Sequence, residues 1–280
     1  MIAYSSRWRT AMKQDLRRVI ITGAASGLGR ALAVELAGPE VVFGLIDRSE
    51  TGLAETCAML AERGSIATPV ALDVRDAGRL QQVIREFAEH DGLDLLINCA
   101  GVAVFGPAES QPLEDWRLAV DVNLFGCIAG CQAAIPPMKE RRSGHLVNVA
   151  SAAAFTALPG MAAYNVSKAG VLALSETLAA ELAPWNVAVT VVCPTFFQSN
   201  LKHGMRTPDA TSARQAERFF AKASLTSEDV AKAIVADLPR RELYCFPMAD
   251  ARRVWIEKNR DPEAYLRRIR DWHRRAVSAS

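Results

Sequence analysis

The chain lacks any long apolar run. No stretch of its 280 residues reaches the length of a bilayer-spanning helix. Its first residues, Met-Ile-Ala-Tyr-Ser-Ser-Arg-Trp-Arg, have none of the apolar character of a secretory signal. We therefore expect no transmembrane segment and a cytoplasmic location.

Histidine is scarce, and the cysteines are not spaced as metal ligands. The chain has four histidines and six cysteines. Cys127 and Cys131 are spaced to share a helix face, but no histidine or third cysteine lies near them in sequence. We expect no metal site, and thiols that stay reduced and pack as small hydrophobic groups, in agreement with a cytoplasmic location.

Charge is low overall and uneven along the chain. The formal net charge is +2, yet residues 1–18 carry five basic residues and one acidic residue, and residues 250–280 carry nine basic and five acidic residues. Basic ends can attract anionic surfaces, but solvated helix faces or subunit contacts explain them more simply. We expect no nucleic-acid partner.

Apolar runs of strand length alternate with helical patterns, which is typical of a parallel sheet covered on both faces. The sequence predicts a single α/β domain, a doubly wound parallel sheet (Rossmann fold), with a C-terminal helical extension. Its expected parts are an N-terminal arm (1–15), the domain (16–248) and the extension (249–280), which holds one or two amphipathic helices. Strands are predicted at residues 18–22, 41–46, 68–72, 93–98, 145–150 and 187–192, with a short seventh near 244–246.

Two segments break the regular pattern. Residues 112–138 form a long helical region that Pro136 and Pro137 are expected to interrupt. Residues 194–224 show no clean period, so we expect a lid or a disordered segment there.

A glycine-rich turn follows the first predicted strand. Gly23, Gly27 and Gly29 stand where a strand turns into a helix, and this geometry directs backbone amides and the positive end of a helix dipole at one point. Such a turn is typical of a dinucleotide diphosphate site. The cofactor-binding residues expected from it are Gly23, Ala25, Ser26, Gly27, Leu28 and Gly29.

The second predicted strand ends in Asp47, followed by Arg48. A carboxylate at this position can accept hydrogen bonds from both hydroxyls of an adenosine ribose and would repel a 2′-phosphate. Arg48 could pair with a 2′-phosphate, but only against the charge of its neighbour. The sequence therefore favours NAD as cofactor over NADP.

Tyr164 and Lys168 lie four residues apart, on one face of a predicted helix, with Ser151 thirteen residues before the tyrosine. A phenol has a reference pKa of about 10, and a nearby ammonium favours the phenolate. We expect Lys168 to lower the pKa of Tyr164 so that the phenol acts as a general acid and base near neutral pH. Together with the glycine turn, this group predicts hydride chemistry on an alcohol or carbonyl.

These residues resemble the classical short-chain dehydrogenase/reductase family over roughly residues 16–248. The resemblance implies a catalytic set of Asn123, Ser151, Tyr164 and Lys168, with Lys168 also holding the nicotinamide ribose and Asn123 holding a water. It further implies cofactor contacts from Asp73, Val74, Asn98, Ala100, Gly101, Tyr164, Lys168, Pro194, Thr195, Phe196 and Ser199. It also implies a homodimer or homotetramer with contacts at 112–138 and 161–183.

The sequence departs from the family pattern at several positions. Cys99 stands where the family motif after strand four has a second asparagine. Pro194-Thr195 replaces the usual Pro-Gly, and Ser199 supplies the hydroxyl where many members carry threonine. The extension beyond about residue 248 is absent from the shorter members.

The segments expected around the catalytic set are apolar and contain no lysine or arginine. They predict a small hydrophobic or aromatic secondary alcohol, or its ketone, as substrate. The expected substrate contacts are Val104, Phe105, Ser151, Phe155, Met161, Tyr164, Phe196 and Phe197. Two alternatives stay open: a non-catalytic dinucleotide sensor or scaffold, and a peripheral membrane dehydrogenase of retinoid or steroid type anchored by Trp8, Trp255 and Trp272.

Overall fold

A parallel sheet of seven strands, in the order β3-β2-β1-β4-β5-β6-β7, forms the centre of the molecule. The computed structural model of the chain describes residues 16–221 and 223–278, so the predicted N-terminal arm and Trp8 lie outside the described residues. The strands are β1 Arg18–Thr22, β2 Val42–Asp47, β3 Ile66–Ala71, β4 Leu95–Asn98, β5 Gly144–Val149, β6 Val187–Val192 and β7 Tyr244–Cys245. This topology confirms the predicted doubly wound fold.

Helices connect the strands and cover both faces of the sheet. They are α1 Gly27–Leu36, α2 Glu50–Ala61, α3 Ala77–Asp91, α4 Leu113–Val120, α5 Gly126–Arg141, α6 Ala153–Thr156, α7 Ala162–Leu182, α8 Ala210–Ala221, α9 Ser227–Asp237, α10 Ala249–Arg260 and α11 Pro262–Ser278. Thr226 and Asp229 form the capping box that opens α9, as their spacing predicts.

The first strand shows why the sequence forms a buried sheet. Ile20 belongs to one hydrophobic core, and Val19 and Ile21 belong to the other, because successive side chains of a strand point to opposite faces. All three are fully buried. The carboxyl ends of β1 and β4 meet where the strand order reverses, and in such sheets ligands bind at that crevice.

The expected helix break at Pro136 and Pro137 is wrong. Both prolines lie inside α5, and the chain is helical from Leu113 to Arg141 through a π-helical turn at Asp121–Phe125. A proline inside a helix removes a backbone hydrogen bond. The residues on either side of the two prolines, Ala133, Ala134 and Met138, are however fully buried in the core. We infer that this packing keeps the last turns helical.

The same helix corrects the expectation about apolar runs. It has 29 residues, and its most apolar 18-residue window has a mean hydropathy of 1.6, so by length and composition it is apolar enough to cross a bilayer. More than half of its most apolar window is buried against the rest of the fold, 56%. Burial of this extent is typical of a core helix, which passes the same test.

The segment expected to be a lid or a disordered segment contains secondary structure. A 3₁₀ turn spans Asn200–Gly204, and α8 follows it. The buried residues of α8 include Ser212 and Ala216, which are small. Large apolar residues therefore do not recur at helical spacing in this part of the sequence. Asp209 caps the helix by accepting a hydrogen bond from the Ser212 amide at 2.7 Å. We call residues 195–225 the lid.

The C-terminal extension forms two helices, α10 and α11, that pack on the domain. Trp255 of α10 lies 5.1 Å from Phe155, ring centre to ring centre, in an edge-to-face contact. The Tyr265 hydroxyl of α11 donates to the Thr156 carbonyl at 2.8 Å. Trp255 is therefore part of a packed aromatic cluster, which counts against it as an anchor in the membrane alternative; Trp272 is 39% exposed.

Candidate active site

The glycine turn between β1 and α1 lets other groups come close to its backbone. Gly23 and Gly27 have φ of +71° and +52°, in the left-handed region that favours glycine. A side chain at Gly23 would come within 2.8 Å of the Ala100 backbone, and one at Gly29 would collide with the Gly23 carbonyl. The Ser26 side chain makes no capping hydrogen bond to α1. The first amides of that helix are thus left for an anionic ligand.

Asp47 stands at the tip of β2, beside this turn. Its Oδ2 accepts from the Ala25 amide at 3.1 Å and its Oδ1 from the Ser49 amide at 3.0 Å. Ala25 is 3% exposed and does not line the cleft, so it positions Asp47 rather than contacting a ligand as expected. Asp47 itself lines the cleft together with Arg48.

The tip of β3 carries an ion pair. Arg75 Nη2 lies 2.6 Å from Asp73 Oδ2. The guanidinium of Arg75 lowers the pKa of the Asp73 carboxyl through this hydrogen bond. Arg75 was not among the residues expected from the sequence, although it lines the same cleft.

A cleft of about 780 Å³ runs along the carboxyl edge of the sheet. The expected cofactor residues on its wall are Gly23, Ser26, Gly27, Leu28, Gly29, Asp47, Arg48, Asp73, Val74, Ala100, Gly101, Tyr164, Lys168, Pro194 and Ser199. Residues on the wall that sequence reasoning missed include Arg75, Val102, Asn200, Leu201, Met205 and Arg206. Most of these missed residues belong to the lid, where no sequence motif indicated a contact.

Asn98, expected to touch the cofactor, instead joins two strands beneath the cleft. It is 5% exposed, and its Nδ2 donates to Asn148 Oδ1 at 2.9 Å. This bond links the ends of β4 and β5. Asn98 therefore positions the loop containing Ala100 and Gly101, which does line the cleft.

Tyr164 and Lys168 project from one face of α7 toward the cleft. The Lys168 ammonium donates to the Val149 carbonyl at 2.8 Å and lies 5.8 Å from the centre of the Tyr164 ring. The Ser151 side chain lies close enough to the Tyr164 hydroxyl to lower its pKa, and its Oγ donates to the Pro194 carbonyl at 3.3 Å and accepts from the Ala153 amide at 3.1 Å. Three of the four expected catalytic residues therefore meet at one point.

Burial controls the acidity of this group. It raises the pKa of Tyr164 to about 12, against a smaller lowering by the neighbouring Ser151 hydroxyl. The expected lowering of that pKa by Lys168 is not found, since the ammonium is directed at Val149. Burial also lowers the pKa of Lys168, because desolvation disfavours its charged form.

Asn123, the fourth expected catalytic residue, lies behind the cleft wall and is 2% exposed. Its Oδ1 accepts from the Val102 amide at 2.8 Å, and its Nδ2 donates to Val102 O and to Ser167 Oγ. A side chain built at Gly101 would lie 3.3 Å from Asn123 Oδ1 and 3.6 Å from Lys168 Nζ. Both atoms therefore face the space beside Gly101.

A second cavity, of about 210 Å³, adjoins the cleft, and the two share the wall residues Tyr164, Pro194, Phe197, Ser199, Leu201 and Met205. The expected substrate residues on its wall are Val104, Phe105, Ser151, Met161, Tyr164, Phe196 and Phe197. Thr195 and Phe196, expected at the cofactor, line this cavity rather than the cleft. Asp250 is the one charged side chain on its wall among the residues that the structure describes.

Phe155 is the expected substrate residue that the structure places elsewhere. It is 3% exposed and packs against Phe246 and Trp255 in the core. Its neighbours Ala153 and Thr156 line the cavity instead. The sequence could not show this, because the C-terminal extension supplies the contact that turns Phe155 inward.

A parallel sheet with a glycine turn and an acidic group at the tip of its second strand defines a Rossmann-type nucleotide-binding protein. The family model described as short chain dehydrogenase matches residues 17–210. The chain belongs to the classical short-chain dehydrogenase/reductase family.

Known relatives agree with this assignment. The chain is 36% identical over 236 residues to the probable oxidoreductase EphD of Mycobacterium tuberculosis, a match that covers 80% of this chain and 40% of EphD. The chain thus spans well under half the length of that relative. A short-chain dehydrogenase/reductase from Burkholderia phymatum in complex with NAD superposes with a TM-score of 0.82 at 28% identity, over 89% of this chain and 95% of that one. A short-chain dehydrogenase from Sphingobium yanoikuyae in complex with NADPH gives 0.75 at 25% identity, over the same shares.

The described residues fit a nicotinamide dinucleotide. The glycine turn leaves space that any side chain would fill, and the first amides of α1 are free of a side-chain cap. Asp47 and Asp73 line one end of the cleft, and Tyr164 and Lys168 line it as well.

Proposed function

We propose that the protein is an NAD-dependent oxidoreductase that interconverts a small hydrophobic or aromatic secondary alcohol and its ketone. One observation carries the proposal. Tyr164 stands on the wall shared by the nucleotide cleft and the apolar cavity, and Ser151 lines the same cavity close enough to lower the pKa of the phenol. A substrate oxygen placed between these two hydroxyls would lie at the junction of cofactor and substrate sites.

In this proposal Tyr164 is the general acid and base. A nicotinamide bound in the cleft would exchange a hydride with the substrate carbon. In alcohol oxidation Tyr164, as phenolate, takes the hydroxyl proton while the carbon–hydrogen electron pair leaves as hydride. In ketone reduction the protonated phenol, which the raised pKa favours, donates its proton to the substrate oxygen.

Ser151, Lys168 and Asn123 would support this transfer. Ser151 holds the substrate oxygen through its hydroxyl. Lys168 holds the nicotinamide ribose and supplies positive charge beside the phenol. Asn123 holds a water in the space beside Gly101, through which Lys168 would exchange protons with solvent.

Asp47 supports NAD as the preferred cofactor. Its carboxylate lies at the tip of β2, where an adenosine ribose would sit, and a second negative charge about 4 Å away costs on the order of several kcal/mol when partly buried. Arg48 and Arg75 flank the same end of the cleft, but Arg75 is already paired with Asp73.

The walls of the second cavity support a hydrophobic substrate. Phe105, Met161, Phe196 and Phe197 dominate them, and no lysine or arginine from the described part of the chain is on this wall. A volume of about 210 Å³ suits a substrate with about one ring.

Assembly and location belong to the same proposal. Phe125 and Val166 are 55% and 52% exposed on the two helical segments expected at subunit contacts. This exposure supports a homodimer or homotetramer. We place the enzyme in the cytoplasm.

The test measures turnover for each combination of cofactor and alcohol. Purified protein is incubated with NAD⁺ or NADP⁺ and with aromatic, alicyclic and polyhydroxylated secondary alcohols, and cofactor reduction is followed by absorbance. We expect turnover with NAD⁺ and with the aromatic or alicyclic alcohols above that with polyols. NAD binding without turnover on any alcohol or ketone would favour the sensor or scaffold instead.

A further inference from the structure

Arg206, in the lid, is fastened to the segment that follows β4. Its carbonyl accepts from the Phe105 amide at 2.9 Å, and its amide donates to the Ala103 carbonyl at 3.0 Å. These bonds form a one-residue parallel bridge with Val104. The lid therefore joins the chain segment that forms one wall of the apolar cavity.

Arg206 is exposed and is one of the residues that line the nucleotide cleft, and its guanidinium has no acidic partner within the described ranges. Of the other cations on that wall, Arg75 pairs with Asp73 and Lys168 donates to Val149, whereas Arg48, next to Asp47, has no ion pair within the described residues either. Arg206 is thus a cation beside the cleft without a counter-charge. A guanidinium in such a place is suited to a phosphate.

The topology indicates which phosphate it would meet. Asp47 and Asp73, at the tips of β2 and β3, mark the adenosine-ribose end of the cleft, whereas Arg206 is bonded to the segment beyond β4, on the other side of β1. Between them lies the glycine turn, where the diphosphate would bind. The lid reaches this turn as well, since a side chain built at Gly27 would lie 3.6 Å from the Asn200 amide nitrogen.

We propose that Arg206 is a lid-borne clamp for the diphosphate of the dinucleotide, and that its contact couples cofactor binding to the shape of the substrate cavity. The coupling follows from shared walls. Leu201 and Met205 line both cavities, and Ala216 of α8, which is fully buried, packs in one cluster with Tyr164. A ligand that holds Arg206 therefore holds the lid residues that cover the substrate.

The clamp rests on the proposed function, because it needs a dinucleotide in the cleft. The test compares wild type with Arg206→Gln, Arg206→Lys and Arg214→Gln. Arg214 is an exposed arginine of α8 that is bonded within its own helix and absent from both cavity walls, so it controls for lid charge. Binding of NAD, NADP, ADP-ribose and adenosine is measured by isothermal titration calorimetry.

We expect Arg206→Gln to lower the affinities for NAD, NADP and ADP-ribose by a similar factor of about tenfold, because one charge-assisted hydrogen bond is lost. Arg206→Gln should bind adenosine as tightly as wild type does, and Arg214→Gln should bind all four ligands with wild-type affinity. Arg206→Lys should bind the dinucleotides more tightly than Arg206→Gln but less tightly than wild type. NAD should also slow limited proteolysis of the lid in wild type, and do so less in Arg206→Gln.

The outcomes separate the two proposals. A loss confined to NADP would assign Arg206 to the 2′-phosphate and overturn the diphosphate clamp. Equal NAD affinity in wild type and Arg206→Gln would overturn the clamp while leaving the proposed function intact. Failure of wild type to bind any dinucleotide would overturn both.

Discussion

The Lys168 ammonium lies 5.8 Å from the centre of the Tyr164 ring and donates its hydrogen bond to the Val149 carbonyl rather than to the phenol. The positive charge of Lys168 is therefore close to the phenol but not paired with it. Burial then dominates, and the pKa of Tyr164 is raised to about 12. The structure describes a phenol that holds its proton at neutral pH.

This acidity predicts opposite pH dependences for the two directions of the reaction. Alcohol oxidation needs the phenolate, so kcat/KM for the alcohol should rise by up to about tenfold per pH unit below the apparent pKa of Tyr164. Ketone reduction needs the phenol and should fall as the pH rises through the same value. Initial rates in both directions across the alkaline range test this. A flat profile for oxidation with chemistry rate-limiting would contradict it.

Removal of the Asp47 charge should shift cofactor preference. In Asp47→Ala, Arg48 remains and the repulsion of a 2′-phosphate is lost, so the ratio of NADP to NAD affinity should rise by about tenfold or more. Calorimetric titration of both dinucleotides measures the ratio. Glu62→Ala, at an exposed acid just after α2 and away from the cleft, is the charge-matched control and should leave the ratio unchanged. Tighter binding of NADP than NAD by wild type would overturn the role given to Asp47.

His145 predicts an acid-dependent loss of stability. Burial, with a smaller contribution from Arg241, lowers its pKa from 6.5 to about 3, and its Nε2 is 2.8 Å from Thr190 Oγ1. Between these two pKa values the unfolded chain binds a proton that the folded chain does not. The free energy of unfolding should therefore decline as pH falls from about 6.5 toward 3, by up to about 1.4 kcal/mol per pH unit from this group.

Denaturant titrations between pH 4 and 7 test the His145 prediction. In His145→Gln the dependence of the unfolding free energy on pH should be smaller by the equivalent of about one proton. In His273→Gln, at an exposed histidine of α11, this dependence should be unchanged. An identical slope in wild type and His145→Gln would show that the buried imidazole is not the source.

The C-terminal extension should contribute to the stability of the whole fold. Trp255 packs among Phe155, Tyr244 and Phe246, so Trp255→Ala should lower the free energy of unfolding by about 3 kcal/mol. Trp272→Ala, at an exposed site of α11, should change it by less than about 0.5 kcal/mol. Equal effects of the two substitutions would mean that α10 does not pack on the domain as described.

The parts of the fold that follow from local pattern could be predicted from the sequence. The strands at Arg18–Thr22 and Val187–Val192 were predicted with the observed ends, because their apolar runs are bounded by clear turn signals. The glycine turn and the Tyr164–Lys168 pair were found because backbone geometry and helix periodicity fix their spacing.

What could not be predicted depends on contacts between distant segments. The direction of the Tyr164 pKa shift follows from burial under the lid, and Phe155 turns inward because Trp255 and Phe246 cover it. Arg206 lines the cleft because its backbone bonds to Ala103 and Phe105, about a hundred residues earlier in the chain. No motif in the sequence indicates these pairings.

The central claim is that the Tyr164 hydroxyl transfers the proton at the substrate oxygen. Tyr164→Phe removes only that hydroxyl, so it tests the claim most directly, with Tyr244→Phe as a control at a tyrosine bonded to Glu176 outside both cavities. Steady-state kcat/KM for the best alcohol is measured alongside calorimetric NAD affinity. We predict a loss of about 10²–10⁴ in kcat/KM for Tyr164→Phe, with NAD still bound, and near wild-type turnover for Tyr244→Phe. Turnover by Tyr164→Phe at the wild-type rate would contradict the account.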